Sequence, residues 1–288
     1  MDRNYTSIDR RTAIKTSALT ALGLAIPNVI FSNSQNNTFN TGSLRTEVPK
    51  HFPNIDPEIV AEVVGRSHAD IDRVKELVGG RPELARSVWE WRFGDFESAI
   101  GAASHVGRRD IALYLIEKGA RPTLYTFAML GAYETVKSMI EFSPGIQKNC
   151  GPHGISLLSH AYAGERMKDS MSLKEKDSLK RTIDYLESLG DANGETYIDV
   201  SPKDQEKYLG DYKYGSGDKE GFTVAVNMRK LLSLAPLGGF GGAIYKVAEN
   251  KFIYNGAPSV TISFNIENDI VKSLTLSEPG LEVIATKQ

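Results

Sequence analysis

The chain has 288 residues, 41% hydrophobic and 24% charged, with 34 Lys plus Arg against 36 Asp plus Glu and a formal net charge of −2. That is enough chain for two modest domains with buried cores. It lacks the positive excess needed to hold a phosphate backbone, which excludes nucleic acid as a leading partner. The single cysteine, Cys150, excludes an internal disulfide framework and any cysteine-cluster zinc or iron–sulfur site.

The first residues read as an address. A charged stretch from Ser7 to Lys15 precedes an apolar run from Ala18 to Phe31, broken by Pro27. Ser32-Asn33-Ser34 then offers small residues for a cut before Gln35. This order predicts a signal peptide over residues 1–34. The run is shorter than the roughly 20 apolar residues of a membrane-spanning helix, so no stable membrane span is expected after cleavage. Arg10 and Arg11 resemble the pair of the twin-arginine export signal, with Lys15 near the Lys of that pattern. Ala13 and Ile14 replace its Phe-Leu, and the general export route stays open. Residues 35–50 are rich in Asn, Thr and Ser and read as a flexible linker. The expected location is periplasmic or otherwise extracytoplasmic.

Residues 51–198 carry a repeat. Ala102 to Gly107 leads into Asp110 to Ala120, and Phe127 to Gly131 leads into Glu134 to Glu141. Leu157 to Gly164 reaches Arg181 to Gly190 across a charged insert from Glu165 to Lys180. A degenerate copy lies at Asp72 to Val78. Each unit pairs a short helix of small residues with a second helix bearing aliphatic residues at i, i+3 and i+4, and a glycine turns the chain between them. One such pair cannot bury its apolar face alone, so the units must stack. The pattern resembles the ankyrin repeat, best at Gly107, Gly119 and Ala120, then at Gly131, His160, Ala161 and Gly164. No copy has the full Thr-Pro-Leu-His signature, and the step from Gly107 to Gly131 is shorter than the family's 33-residue period. The resemblance implies protein-binding surfaces, and it implies a structural role for His160, bonded to backbone.

Residues 199–288 change period. Short segments at Tyr208–Tyr212, Phe222–Val226, Leu231–Leu234, Ala243–Val247, Lys251–Tyr254, Val260–Phe264, Ile270–Leu274 and Leu281–Ile284 are separated by turn residues. Eight closely spaced strands predict an antiparallel barrel or curled meander. The landmarks Leu209, Gly210, Tyr212, Val224, Leu232, Phe252, Phe264, Leu274, Ala285 and Lys287 resemble a β-domain that follows the catalytic domain in penicillin-binding-protein-like serine hydrolases. That domain is non-catalytic, so the resemblance implies no hydrolysis.

The expected fold class is therefore multidomain α plus β: a short ankyrin-like α-solenoid followed by a small antiparallel β-barrel-like domain. Motifs for chemistry are sparse. Ser216-Gly-Asp-Lys219 has Ser-x-x-Lys spacing but lies in a Gly-rich turn. The histidines at 51, 68, 105, 153 and 160 include no i, i+4 pair for a divalent site, and the glycine run at 238–242 lacks the Gly-Lys-Ser/Thr ending of a phosphate loop. No catalytic residue, metal or cofactor is expected. The candidate partner-binding residues are Trp91, Arg92, Phe93, His105, Arg108, Arg109 and Tyr125, an aromatic and arginine set of the kind enriched in interface anchors. The expected function is non-enzymatic protein–protein binding or scaffolding outside the cytoplasm. The alternatives are a small-ligand site in the β-domain or an accessory subunit of an extracytoplasmic enzyme.

Overall fold

The computed structural model describes residues 47–288. The expected signal segment and the expected linker up to residue 46 lie outside the described residues. Helix α1 (Pro57–Arg66) pairs with α2 (Ile71–Gly80), which begins where the Asp70 carboxylate accepts from the Arg73 amide. That bond satisfies one of the N–H groups left open at a helix start. A two-stranded hairpin follows, β1 (Val88–Glu90) and β2 (Phe96–Ser98), with Trp89 opposite Glu97. Ser98 closes the hairpin and caps α3 (Ala99–His105) by accepting from the Gly101 amide.

The chain then runs through α4 (Arg109–Glu117), α5 (Leu124–Leu130), α6 (Tyr133–Phe142), α7 (Leu157–Ala163) and α8 (Leu173–Leu189). The seven-residue helices α3, α5 and α7 pack on one another in that order, and α4, α6 and α8 each pack against the short helix before them. Composition explains the close approach: every residue of α3 from Ala99 to Ser104 is buried, and most are small. Gly107 turns the chain between α3 and α4 at φ 73°, and a Cβ there would run into the Ala163 carbonyl. The charged stretch expected as an insert, Glu165 to Lys180, forms a 3-10 helix over Gly164–Ser170 and then the start of α8. A capping box between Ser172 and Glu175 opens that helix, Lys174, Lys176 and Asp177 face solvent, and Leu179 is buried.

A short helix, α9 (Pro202–Glu206), leads into eight strands. These are β3 (Gly210–Lys213), β4 (Gly221–Val226), β5 (Leu232–Pro236), β6 (Gly242–Ala248), β7 (Lys251–Tyr254), β8 (Ala257–Glu267), β9 (Ile270–Glu278) and β10 (Leu281–Lys287). Each pairs antiparallel with its sequence neighbour, and β10 also pairs with β3, so the sheet closes into a barrel without free edges. The barrel encloses side chains rather than space. Tyr208, Tyr212 and Phe252 are fully buried, and the Phe264 ring lies 4.6 Å from that of Tyr208 and 5.5 Å from that of Phe252. Their polar ends are satisfied: the Tyr212 hydroxyl donates to the Tyr208 carbonyl and the Tyr208 hydroxyl to Asn250.

The two parts touch. Phe93 packs edge-on against Tyr254 with ring centroids 4.8 Å apart, Tyr197 stacks on Tyr245 at 4.4 Å, and Ile198 pairs with Lys246. The turn at residues 152–154 abuts the β7–β8 corner, where Gly154 faces the Asn255 side chain. Among the described residues, no helix is long and apolar enough to cross a membrane.

Candidate functional site

Four separate elements bring polar side chains to one point beside this junction. His68 lies in the turn after α1, where Ser67 ties back to the Val63 carbonyl and His68 Nδ1 lies 2.9 Å from the Gly65 carbonyl oxygen. Glu97 is the middle residue of β2, fully buried, and Trp91 donates its indole N–H to Glu97 Oε2 at 2.7 Å. His105 ends α3. His153 occupies the turn between α6 and α7 with φ 59°, in the left-handed region that non-glycine residues avoid. Asp95 holds it there with both carboxylate oxygens: Oδ1 accepts from the His153 amide at 2.9 Å and Oδ2 lies 2.7 Å from Nδ1.

One donor atom from each of His68, Glu97, His105 and His153 lies within 4.8 Å of the others. Glu97 Oε1 is 3.0 Å from His105 Nδ1 and 3.3 Å from His153 Nε2, and Glu97 Oε2 is 3.5 Å from His68 Nε2. Distance alone does not make these hydrogen bonds. Glu97 Oε1 and His105 Nδ1 are both buried without a hydrogen-bond partner, as is Nε2 of neighbouring His160. Orphaned polar atoms at this depth are costly unless something else satisfies them.

The electrostatics reflect the crowding. Burial works to raise the Glu97 carboxyl, but His105, His153 and His68 outweigh it and hold the group well below the usual carboxylate range. Burial likewise works to lower His153, and the flanking Asp95 and Glu97 carboxylates overcome it, pushing the imidazole up to about 10. Burial lowers His68, opposed by attraction to Glu97 and the Gly65 bond and aided by repulsion from His105 and His153, and burial pushes His160 down to about 4. His160 Nδ1 lies 2.8 Å from the Ser156 carbonyl oxygen, a backbone bond of the kind the repeat resemblance implies for it.

The seven residues expected to contact a partner surround this centre or serve the fold. Trp91 binds Glu97, His105 is one of the four donors, and Tyr125 packs on His160 with ring centroids 4.9 Å apart. Phe93 meets the barrel. Arg92 donates to the Trp91 carbonyl, close to Gly239 of the barrel. Arg108 forks onto Asp110 and also reaches the Ala69 carbonyl, and Arg109 bonds the Leu130 carbonyl and Glu175. The sequence sets His68 and His153 aside for want of helical i, i+4 spacing, and Asp95 and Glu97 are not among the expected site residues. These donors come from different elements, so no helical i, i+4 spacing announces them. Comparison with protein-family models, with curated proteins and with solved structures finds no match to this chain.

Proposed function

We propose that the protein is an exported, non-enzymatic binding protein whose binding centre is the cluster of His68, Glu97, His105 and His153 where the helical part meets the barrel. One observation carries this reading: donor atoms of four residues converge within 4.8 Å, and two of them, Glu97 Oε1 and His105 Nδ1, are buried without a hydrogen-bond partner. Such an arrangement is set up to receive something. Export rests on the order of charge, apolar run and small residues before Gln35, and places the protein outside the cytoplasm. Ser216 and Lys219 lie in the turn between β3 and β4, off any helix, so they are not part of the proposed centre. The packed barrel interior also moves the expected binding role away from the β-domain and toward the helical side.

Recognition of a protein partner by the helical stack is a second reading. The serial packing of α3, α5 and α7, with glycines of positive φ at 107 and 131, supports the ankyrin-like layout on which it depends. Native mass spectrometry of the mature chain purified from its own periplasm tests the first reading. The expected result is an excess mass that is lost on denaturation and is absent from a Glu97→Gln, His105→Gln double variant. Bare polypeptide mass in the wild type sinks the reading, and a co-purifying protein retained by the double variant favours the second.

A further inference from the structure

We infer that the centre takes a divalent transition-metal ion of zinc size and character, ligated by His68, Glu97, His105 and His153. This rests on the reading of the cluster as the binding site and goes on to name the ligand. The donor set argues for the class of ion. Three imidazoles and one carboxylate suit borderline ions such as Zn2+ and Co2+, whereas Ca2+ and Mg2+ require shells of oxygen.

Spacing gives an independent argument. Zinc-to-nitrogen and zinc-to-carboxylate bonds of about 2.0–2.1 Å in a tetrahedron place ligand atoms about 3.3 Å apart. Glu97 Oε1 lies 3.0 Å from His105 Nδ1 and 3.3 Å from His153 Nε2, close to that edge, while His68 Nε2 lies 3.5 Å from the other carboxylate oxygen and the four ligand atoms stay within 4.8 Å of one another.

The surroundings match what a metal site needs beyond its ligands. Ligating histidines characteristically fix their other ring nitrogen on a carboxylate or a carbonyl, which sets the tautomer and aims a lone pair at the ion. His153 Nδ1 is held on Asp95 and His68 Nδ1 on the Gly65 carbonyl, leaving both Nε2 atoms toward the centre. The Trp91 indole anchors the carboxylate of Glu97. An ion would satisfy the orphaned Glu97 Oε1 and His105 Nδ1 together. With neutral imidazoles, its two positive charges also balance the carboxylates of Asp95 and Glu97. The side chains of His68 and His153 are each 26% exposed, so the ion has a route in from solvent.

The test uses the full mature chain stripped with EDTA. Zn2+ is titrated calorimetrically against a competing chelator, and Co2+ is followed by its visible d–d absorption. The expected result is one ion per chain, with the intense bands of four-coordinate Co2+ and a thermal midpoint raised by Zn2+. Glu97→Gln, His105→Gln and His153→Gln each lower affinity by about 100-fold or more, and Asp95→Asn lowers it by about 10- to 100-fold. His51→Ala, outside the cluster, leaves binding unchanged. The shift in midpoint caused by Zn2+ within each variant separates lost binding from lost folding.

Zinc binding that survives these substitutions, or that disappears in His51→Ala, overturns the assignment. A native mass excess that proves to be an organic molecule overturns the metal while leaving the binding reading in place. A protein with neither bound mass nor saturable Zn2+ binding defeats both.

Discussion

His153 adopts a backbone conformation that costs a non-glycine residue roughly 1–2 kcal/mol, and Asp95 grips both its amide and its ring to hold it there. The same grip makes the metal-free protein sensitive to pH. His153 is raised to about 10 in the fold from an ordinary 6.5, so its contribution is fully present below the lower value and is lost as pH rises through the higher one. Glu97 acts in the opposite sense. Its folded value is depressed, so its contribution is present above the ordinary 4.5 and is lost as pH falls below it. Urea unfolding of EDTA-treated wild type and His153→Gln, from about pH 6 to about pH 11, should show the stability difference shrinking as pH rises. A difference that stays constant over that range would remove the charge on His153 from the account.

Two turn glycines separate backbone strain from crowding within the helical elements. Gly107 and Gly119 both have positive φ, 73° and 95°, but a Cβ at Gly107 meets the Ala163 carbonyl whereas one at Gly119 meets nothing within 4 Å. Gly119→Ala should therefore cost about 1 kcal/mol, the strain of the conformation alone. Gly107→Ala should cost about 2 kcal/mol or more, because α3 and α7 must move apart. Equal losses in denaturant midpoint for the two variants would mean that the close packing beneath Gly107 carries no energy. The helix pairs and the eight strands were legible in the chain because their signals are local. Aliphatic residues at i, i+3 and i+4 mark α4 and α6, and alternation marks β8, where Val260, Ile262 and Phe264 point inward. The β1–β2 hairpin was not legible as strands. Its three-residue arms are too short to show a period, and exposed Val88 and Phe96 flank the half-buried Trp89 and buried Glu97.

At the scale of the whole molecule, the barrel owns its core and closes its own edges, so residues 199–288 alone are expected to unfold in a single cooperative transition. A fragment without near-ultraviolet circular dichroism would show instead that the barrel depends on the helical part. The junction should be worth a measurable amount: a double-mutant cycle on Phe93 and Tyr254 is expected to give about 0.5–1.5 kcal/mol of coupling. The centre beside it was illegible in the chain for the reason that makes it a centre. Its donors become neighbours only when α1, the hairpin, α3 and the turn before α7 are folded together.

The order of those donors along the chain gives the centre a history. Glu97, His105 and both outer histidines precede the first barrel strand, so a ribosome that has released residue 153 and its flanking helices has released the whole ligand set while the barrel is still unmade. Assembly of the pocket can start on the nascent polypeptide. A chain exported already folded would then carry whatever ion the cytoplasm supplied, and a chain threaded across unfolded would choose its ion on the far side. The metal found in the mature protein would thus record the compartment in which it folded.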